Sequence, residues 1–164
     1  MSAGWRGLAT LWGLGRIAPA PGTWGSAAAL PLGFALHWAG GFPLFFIGLT
    51  AVTAAGWAAI RGVEAWEADA SEVVVDEVAG QLLALAPLSL GLWIADAAPG
   101  VWPWPGWVGA FVMFRLFDIW KPGWVGQAEA LPGAAGVMAD DLVAGAFAAG
   151  AVTAAAAISH AWLI

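Results

Sequence analysis

The sequence contains no cysteine among its 164 residues, which excludes disulfides, thiolate metal ligands and a cysteine nucleophile. Charge is also scarce, since five Lys and Arg and eleven Asp and Glu residues make up 10% of the chain and give a net charge of −6. The two histidines, His37 and His160, lie within apolar runs far from any acidic residue pair. We therefore expect no histidine-based catalysis.

Long apolar runs fill most of the remaining sequence. Hydrophobic residues make up 62% of the chain, and residues 17–60 contain no Asp, Glu, Lys or Arg. A helix that spans a bilayer needs about 20 mostly apolar residues, and a soluble domain rarely has this composition. Three runs are clear candidates and two are shorter: 42–60, 78–95 and 142–164, then 25–40 and 107–120.

The sequence predicts an all-α polytopic membrane bundle of about three to five apolar helices, formed by residues 1–164 as a single domain. Gly13, Gly15, Pro19 and Pro21 interrupt the N-terminal stretch, so we expect no cleaved signal peptide. The thirteen Trp residues are typical of side chains that anchor helices at the membrane interface.

The few cations predict the orientation. A path with five crossings puts all of them on one face, which is cytoplasmic by the positive-inside rule. These cations are Arg6, Arg16, Arg61, Arg115 and Lys121. The same path places five acidic residues on that face and Asp96 on the other.

Those five acidic residues lie in three places, each at the edge of an apolar run: Asp76 and Glu77, Asp118, and Asp140 and Asp141. Ionised groups near a bilayer are costly and therefore indicate function. The two doublets precede apolar stretches, where helix capping alone explains one acid per helix. We favour a metal site over capping, and Glu72 joins it if the helix begins early enough to put Glu72 and Asp76 on one face.

Asp118 lies between two cations, Arg115 and Lys121, at a spacing of three residues, and Pro122 is expected to end this helix. The pattern fits a simple ion pair within the helix. It also fits a site in which Asp118 binds a metal and Arg115 or Lys121 binds a phosphate.

A glycine-containing turn before the first apolar run offers a weaker signal. Thr23 or Ser26 is positioned to cap the helix that follows, and the free N–H groups of a helix start bind anions. Arg16 lies close by in the sequence. Carboxylates mixed with cations suit an anion held through a divalent cation, and oxygen ligands favour Mg²⁺, Mn²⁺ or Ca²⁺.

Four sequence blocks together resemble the phosphatidylglycerophosphatase A family: residues 15–26, 72–81, 114–122 and 136–145. The resemblance implies a bacterial inner-membrane, Mg²⁺-dependent enzyme with an α-helical fold. It implies removal of the terminal phosphate of phosphatidylglycerophosphate to give phosphatidylglycerol. The expected partner is a membrane phospholipid, with no nucleic acid.

Carried over by position, the resemblance implies a set of site residues. The catalytic and metal-binding set is Asp76, Glu77, Asp118, Asp140 and Asp141, with Glu72 as a further metal ligand and one or two Mg²⁺ ions. The substrate-binding set is Arg16, Thr23, Arg115 and Lys121. The chain departs from the family pattern at Ala128, Glu129 and Ala134, where the family has an Asp-Arg pair and a glycine.

Three alternatives remain open on the sequence. One is a phosphatase for another phospholipid, such as phosphatidic acid. A second is a cation transporter, which the absence of charge in residues 42–60 and 142–164 disfavours. The third is a membrane scaffold whose acidic residues only cap helices.

Overall fold

The computed structural model describes residues 2–64 and 72–163 of the chain, and within these ranges the structure is helical and contains no strand. A short 3-10 segment, Leu11–Arg16, follows the first helix. The helices are α1 Ser2–Ala9, α2 Pro21–Glu64, α3 Val75–Ile94, α4 Trp104–Trp120, α5 Trp124–Glu129 and α6 Ala134–Leu163. The predicted all-α membrane bundle is confirmed.

Helix α2 is a hairpin of two arms, residues 21–39 and 42–64, joined at Gly40 and Gly41. Gly41 has φ of 62°, a conformation that glycine adopts without strain. A Cβ at Gly33 would lie 3.2 Å from the Phe45 ring, although twelve residues of straight helix would separate them by about 18 Å. The arms therefore lie antiparallel, and each is long enough to cross a hydrocarbon core.

In the described part of the chain, three helices are long and apolar enough to span a membrane: Pro21–Val63, Val75–Ile94 and Ala134–Ala161. The predicted runs at 25–40 and 42–60 form the two arms of α2, and the run at 107–120 lies within α4. The hairpin brings both ends of α2 to the end of the bundle where α3 begins.

Helices α3 and α6 run parallel and approach closely at a pair of glycines. A side chain at Gly145 would collide with the Gly80 carbonyl, and a Cβ at Gly80 would lie 2.6 Å from the Asp141 carbonyl oxygen. Phe114 of α4 packs against the same point on α3, at 2.6 Å from the Gly80 Cβ position. Small residues at a helix crossing allow backbones to approach in this way.

Two apolar clusters hold the helices together. The larger one joins both arms of α2 to α3, α4 and α6 through fully buried Phe45, Leu82, Leu85 and Phe114. The smaller one packs α1 and the end of α2 against Val75 and Met138. The second cluster lies beside the start of α3 and stiffens the end of the bundle that carries the acidic residues.

One boundary expectation is wrong. Helix α6 begins at Ala134 rather than at Asp140, so Asp140 and Asp141 lie in its second turn. The preceding turn is helical because alanines favour helix and Met138 is buried in the smaller apolar cluster. The Asp140–Asp141 pair therefore does not cap this helix.

Candidate active site

Three carboxylates meet between the first turn of α3 and the second turn of α6. One oxygen from each of Asp76, Glu77 and Asp141 lies within 4.8 Å of the others. Asp76 and Asp141 are 5% and 4% exposed, and Glu77 is partly buried beside them. We call these three residues the carboxylate centre.

The helix geometry explains why these residues meet. Asp76 lies four residues before Gly80, and Asp141 lies four residues before Gly145. Residues four apart share one face of a helix, so the glycine contact brings the two carboxylates together one turn earlier. The repeated spacing of acid and glycine is a sequence signal that points to the crossing.

The start of α2 closes the other side of the centre. Gly22 lies so close to Glu77 that a side chain there would collide with Oε1, and it would lie 3.2 Å from the Arg115 Nη1 atom. Gly25 lies against Val74 and Glu77 in the same way. The need for glycine is strongest at Gly25, where a Cβ would lie 2.9 Å from the Val74 carbonyl oxygen, whereas at Gly22 the Glu77 side chain would have to move.

The remaining two predicted acids flank the centre, and each is paired with a cation. The Arg115 Nη1 atom donates to the Asp118 Oδ2 atom at 2.6 Å. The Lys121 ammonium donates to Asp140 Oδ2 at 2.7 Å and to Glu129 Oε1 at 2.8 Å. Asp140 also accepts from the Asp141 backbone N–H at 2.9 Å, and Arg115 lies beside Glu77, so Asp118 and Asp140 both lie next to the carboxylate centre.

Lys121 does not pair with Asp118, although their spacing allows it. Helix α4 ends at Trp120, immediately before Lys121 and Pro122, close to the end that Pro122 predicts. Lys121 is the C-cap residue and adopts a left-handed conformation with φ of 50°. Its side chain crosses to α6 and α5 instead. Burial opposes the charged form, but the hydrogen bonds to Asp140 and Glu129 outweigh it and raise the pKa of Lys121.

The carboxylate centre itself has no such neutralisation. Among the described residues, no Lys or Arg forms an ion pair with Asp76, Glu77 or Asp141. The buried Oε2 of Glu77 and Oδ1 of Asp141 also have no hydrogen-bond partner there. Buried anions need a compensating charge, so this donor set fits a divalent cation held by hard oxygen ligands.

Glu72 lies outside the carboxylate centre. Helix α3 begins at Val75, so the expected shared helix face with Asp76 does not form. The Glu72 Oε2 atom instead accepts from Arg16 Nε at 3.1 Å and Arg6 Nη2 at 3.2 Å. Hydrogen bonds from Arg16 and then Arg6 lower the pKa of Glu72.

The predicted N-terminal residues divide between two places. Arg16 is half exposed and bonded to Glu72, away from the carboxylate centre. Thr23 lies in the first turn of α2, next to Gly22 and the site. Ser26 does not cap α2, because its hydroxyl donates to the Gly22 carbonyl oxygen inside the helix at 2.8 Å.

Gln81 is a polar residue for which the sequence alone indicates no role. Its side chain is fully buried one turn after Glu77, and neither amide atom has a partner among the described residues. A glutamine within an apolar helix is a signal for such a site, because polar groups there are costly. His37 is also buried, but it contacts Ser89 at 2.9 Å, away from the acids.

Fold and site together define an α-helical membrane protein with a buried acidic centre flanked by cations. The chain belongs to the phosphatidylglycerophosphatase A family, whose sequence model matches residues 7–156. Family membership makes the protein a phosphatase that acts on phospholipid.

The chain is similar to three bacterial proteins over most of their length. A candidate phosphatidylinositol-3-phosphatase of Bacteroides thetaiotaomicron is 36% identical over 149 residues, covering 85% of this chain and 86% of the relative. A phosphatidylglycerophosphatase A of Haemophilus influenzae is 35% identical, covering 86% and 82%. That of Escherichia coli is 32% identical, covering 92% and 82%. No solved structure matches the chain.

Proposed function

We propose that this protein hydrolyses the terminal phosphate of phosphatidylglycerophosphate in a Mg²⁺-dependent reaction, giving phosphatidylglycerol and phosphate. The observation that carries the proposal is the carboxylate centre: three acids within 4.8 Å, two of them buried, none in an ion pair with a described Lys or Arg, and with Arg115 close by. A phosphomonoester bound through a divalent cation fits this arrangement of charge.

We propose that Asp76, Glu77 and Asp141 hold the ion. Mg²⁺ typically takes one or two carboxylates together with phosphate oxygens and water, and two of these acids have an unpaired buried oxygen. When bound, Mg²⁺ neutralises phosphate charge and increases the acidity of nearby water. Asp118 and Asp140 complete the proposed site, and the two hydrogen bonds to Arg115 and Lys121 fix their positions.

The chain's own residues have three proposed tasks. The guanidinium of Arg115 binds a phosphate oxygen, with Thr23 beside it at the start of α2. A carboxylate of the site accepts the proton of the attacking water. As the water oxygen bonds to phosphorus, the phosphorus–oxygen bond to glycerol breaks, and the leaving oxygen takes up a proton.

We propose that an acyl chain of the substrate lies between the first arm of α2 and α4. A groove of about 410 Å³ there is lined mainly by Ala27, Leu30, Pro31, Phe34, Trp102 and Trp107. Ala27 is one turn after Thr23, and Trp107 is about two turns before Arg115, so the groove leads from the proposed phosphate position. Ala27→Phe is expected to raise KM severalfold. Ala54→Phe, in the separate groove beside Leu142, serves as the control.

We propose an inner-membrane protein with five crossings, formed by the two arms of α2 with α3, α4 and α6. The hairpin and the parallel α3 and α6 support this path. The ion pairs of Arg6, Arg16, Arg115 and Lys121 lie at the end of the bundle where α3 and α6 begin. The positive-inside rule then puts the proposed site at the cytoplasmic face. We further propose that residues 1–164 form a single domain, which the packing of α1 against α2 supports.

The similarity to the Bacteroides protein makes phosphatidylinositol 3-phosphate the competing substrate. The test is phosphate release by purified protein in mixed micelles with Mg²⁺, using phosphatidylglycerophosphate, phosphatidylinositol 3-phosphate and phosphatidic acid in parallel. We expect the highest kcat/KM for phosphatidylglycerophosphate. A higher value for either of the other lipids contradicts the proposed specificity.

A further inference from the structure

Gln81 is a fully buried amide for which the described residues supply no hydrogen-bond partner at either Oε1 or Nε2. A buried polar group without a partner is unfavourable, and in native proteins such a group needs an explanation. The residue lies in an otherwise apolar turn of α3, between Gly80 and Leu82.

The position of Gln81 relates it to the proposed phosphate site. It follows Glu77 by four residues on one helix face, which places it about 6 Å further into the bundle. Glu77 faces Gly22 at the start of α2, and Leu85, one turn after Gln81, faces Gly33 further along the same arm. Gln81 therefore lies along the interface of α3 and the first arm of α2, one turn below the carboxylate centre.

A second buried polar atom without a partner belongs to Arg115, beside the carboxylate centre. The Nε of Arg115 is buried and has no partner among the described residues, although its Nη1 atom bonds to Asp118. A Cβ at Gly22 would meet both Glu77 Oε1 and Arg115 Nη1, so the Arg115 guanidinium lies at the carboxylate centre, one helical turn above Gln81. These two successive levels offer donors from Arg115 and from the Gln81 Nε2 atom and one acceptor, the Gln81 Oε1 atom.

We infer that Gln81 binds the polar linker of a phospholipid headgroup whose terminal phosphate lies at the carboxylate centre. This inference rests on the proposed function. In phosphatidylglycerophosphate, and equally in phosphatidylinositol 3-phosphate, a polyol with free hydroxyls and a phosphodiester separate the terminal phosphate from diacylglycerol. The Gln81 amide donates to the phosphodiester and accepts from a hydroxyl, one helical turn closer to the acyl chains.

Phosphatidic acid lacks this linker, because its phosphate is attached directly to diacylglycerol. A site built to hydrogen-bond a substrate group discriminates strongly against an analogue that lacks the group, since the buried protein atoms then stay unpaired. Gln81 is thus a specificity-determining residue that favours phosphomonoesters carried on a polyol headgroup over phosphatidic acid.

The test compares kcat/KM for phosphatidylglycerophosphate and phosphatidic acid in the full-length native protein, Gln81→Met and Gln81→Glu. Met has a similar shape and volume without the amide, and Glu keeps the shape but adds a negative charge facing the phosphodiester. Ser89→Ala is the matched control. Ser89 lies on α3 two turns after Gln81, and the substitution removes a fully buried hydroxyl that contacts His37 rather than the proposed site. Thermal unfolding of each variant is measured alongside.

The measured ratio is kcat/KM for phosphatidylglycerophosphate divided by kcat/KM for phosphatidic acid. We expect Gln81→Met to lower this ratio by about 10- to 100-fold, a loss typical of one or two missing hydrogen bonds to substrate. Its melting temperature should be unchanged or higher, because an unpaired amide is removed. Gln81→Glu should lower the ratio further, and Ser89→Ala should leave it within about twofold.

An unchanged ratio in Gln81→Met, or an equal loss for both lipids, would overturn the inference. So would a lower melting temperature with an unchanged ratio, which would show that Gln81 contributes only to the packing of α3. If the native protein releases phosphate from neither lipid, the proposed function fails first and this inference fails with it. Native activity with an unchanged ratio refutes the inference alone.

Discussion

Substitution of Asp141 by Asn should change stability in opposite directions with and without a divalent cation. Asp141 is buried beside Asp76 and Glu77, and it has no cationic partner among the described residues. Removing its charge relieves repulsion in the metal-free protein. The same change removes a ligand when the cation is present.

The structure sets the size of this effect. Two unit charges within 4.8 Å repel by about 3.5 kcal/mol or more at an effective dielectric constant of about 20. Asp141 takes part in two such pairs, and uptake of a proton by one of the acids together with side-chain relaxation relieves much of the total. If about 1–2 kcal/mol remains, the melting temperature in excess chelator should rise by about 2–8 °C.

Saturating Mg²⁺ should have the opposite outcome. A ligand at one hundred times its Kd stabilises the native state by about 2.7 kcal/mol, so the native protein should gain about 5–11 °C. Asp141→Asn should gain far less, and the order of the two melting temperatures should therefore reverse between chelator and Mg²⁺.

Thermal unfolding of the purified protein in detergent at pH 8 provides the assay. Asp96→Asn is the control, since it removes one exposed negative charge at the other end of α3 and should not change the response to Mg²⁺. The reasoning is refuted if the native protein does not respond to Mg²⁺ and Asp141→Asn is the less stable protein in chelator.

Three further predictions concern the surroundings of the centre. Gly80→Ala should lower the melting temperature by several degrees and phosphate release by more than tenfold, because its Cβ would lie 2.6 Å from the Asp141 carbonyl oxygen. Gly150→Ala is the control, because Gly150 has open space around it, and it should change neither quantity. Lys121→Met should reduce kcat by at least tenfold, since Asp140 loses its cation. Glu129→Gln should reduce kcat less than threefold, because the Glu129 side chain is 57% exposed. Phosphate release by both variants checks this, and equal losses of kcat would contradict it. Glu72→Gln should leave Mg²⁺ affinity unchanged and should lower the melting temperature at pH 7. This difference in stability should disappear as pH falls through the folded-state pKa of Glu72, which lies below its ordinary value of 4.5, and melting curves at pH 7 and pH 3 measure it. Weaker Mg²⁺ binding by the variant would return Glu72 to the metal site.

Hydrophobicity alone predicted where the helices lie. Apart from their end residues, the described parts of all five apolar runs are helical, because burying long apolar segments dominates the choice of structure at this composition. A chain path with five membrane crossings also predicted that Asp76, Asp118 and Asp140 lie at one end of the bundle. The resemblance to the family supplied the roles of these residues.

Long-range contacts were beyond such reasoning. Glu72 binds Arg6 and Arg16 from 66 and 56 residues away, and no spacing along one helix predicts such a pair. Lys121 reaches Asp140 rather than Asp118 because it adopts a left-handed conformation at the end of α4. The early start of α6 at Ala134 depends on packing against the smaller apolar cluster.

The central claim is that the carboxylate centre supports Mg²⁺-dependent hydrolysis of phosphatidylglycerophosphate. Phosphate release by the purified native protein, Asp76→Asn and Asp96→Asn, each in Mg²⁺ and in excess chelator, tests it most directly. The account predicts release by the native protein and Asp96→Asn in Mg²⁺ only, and a loss of at least a hundredfold in Asp76→Asn. Release that persists in chelator, or an active and folded Asp76→Asn, would contradict it.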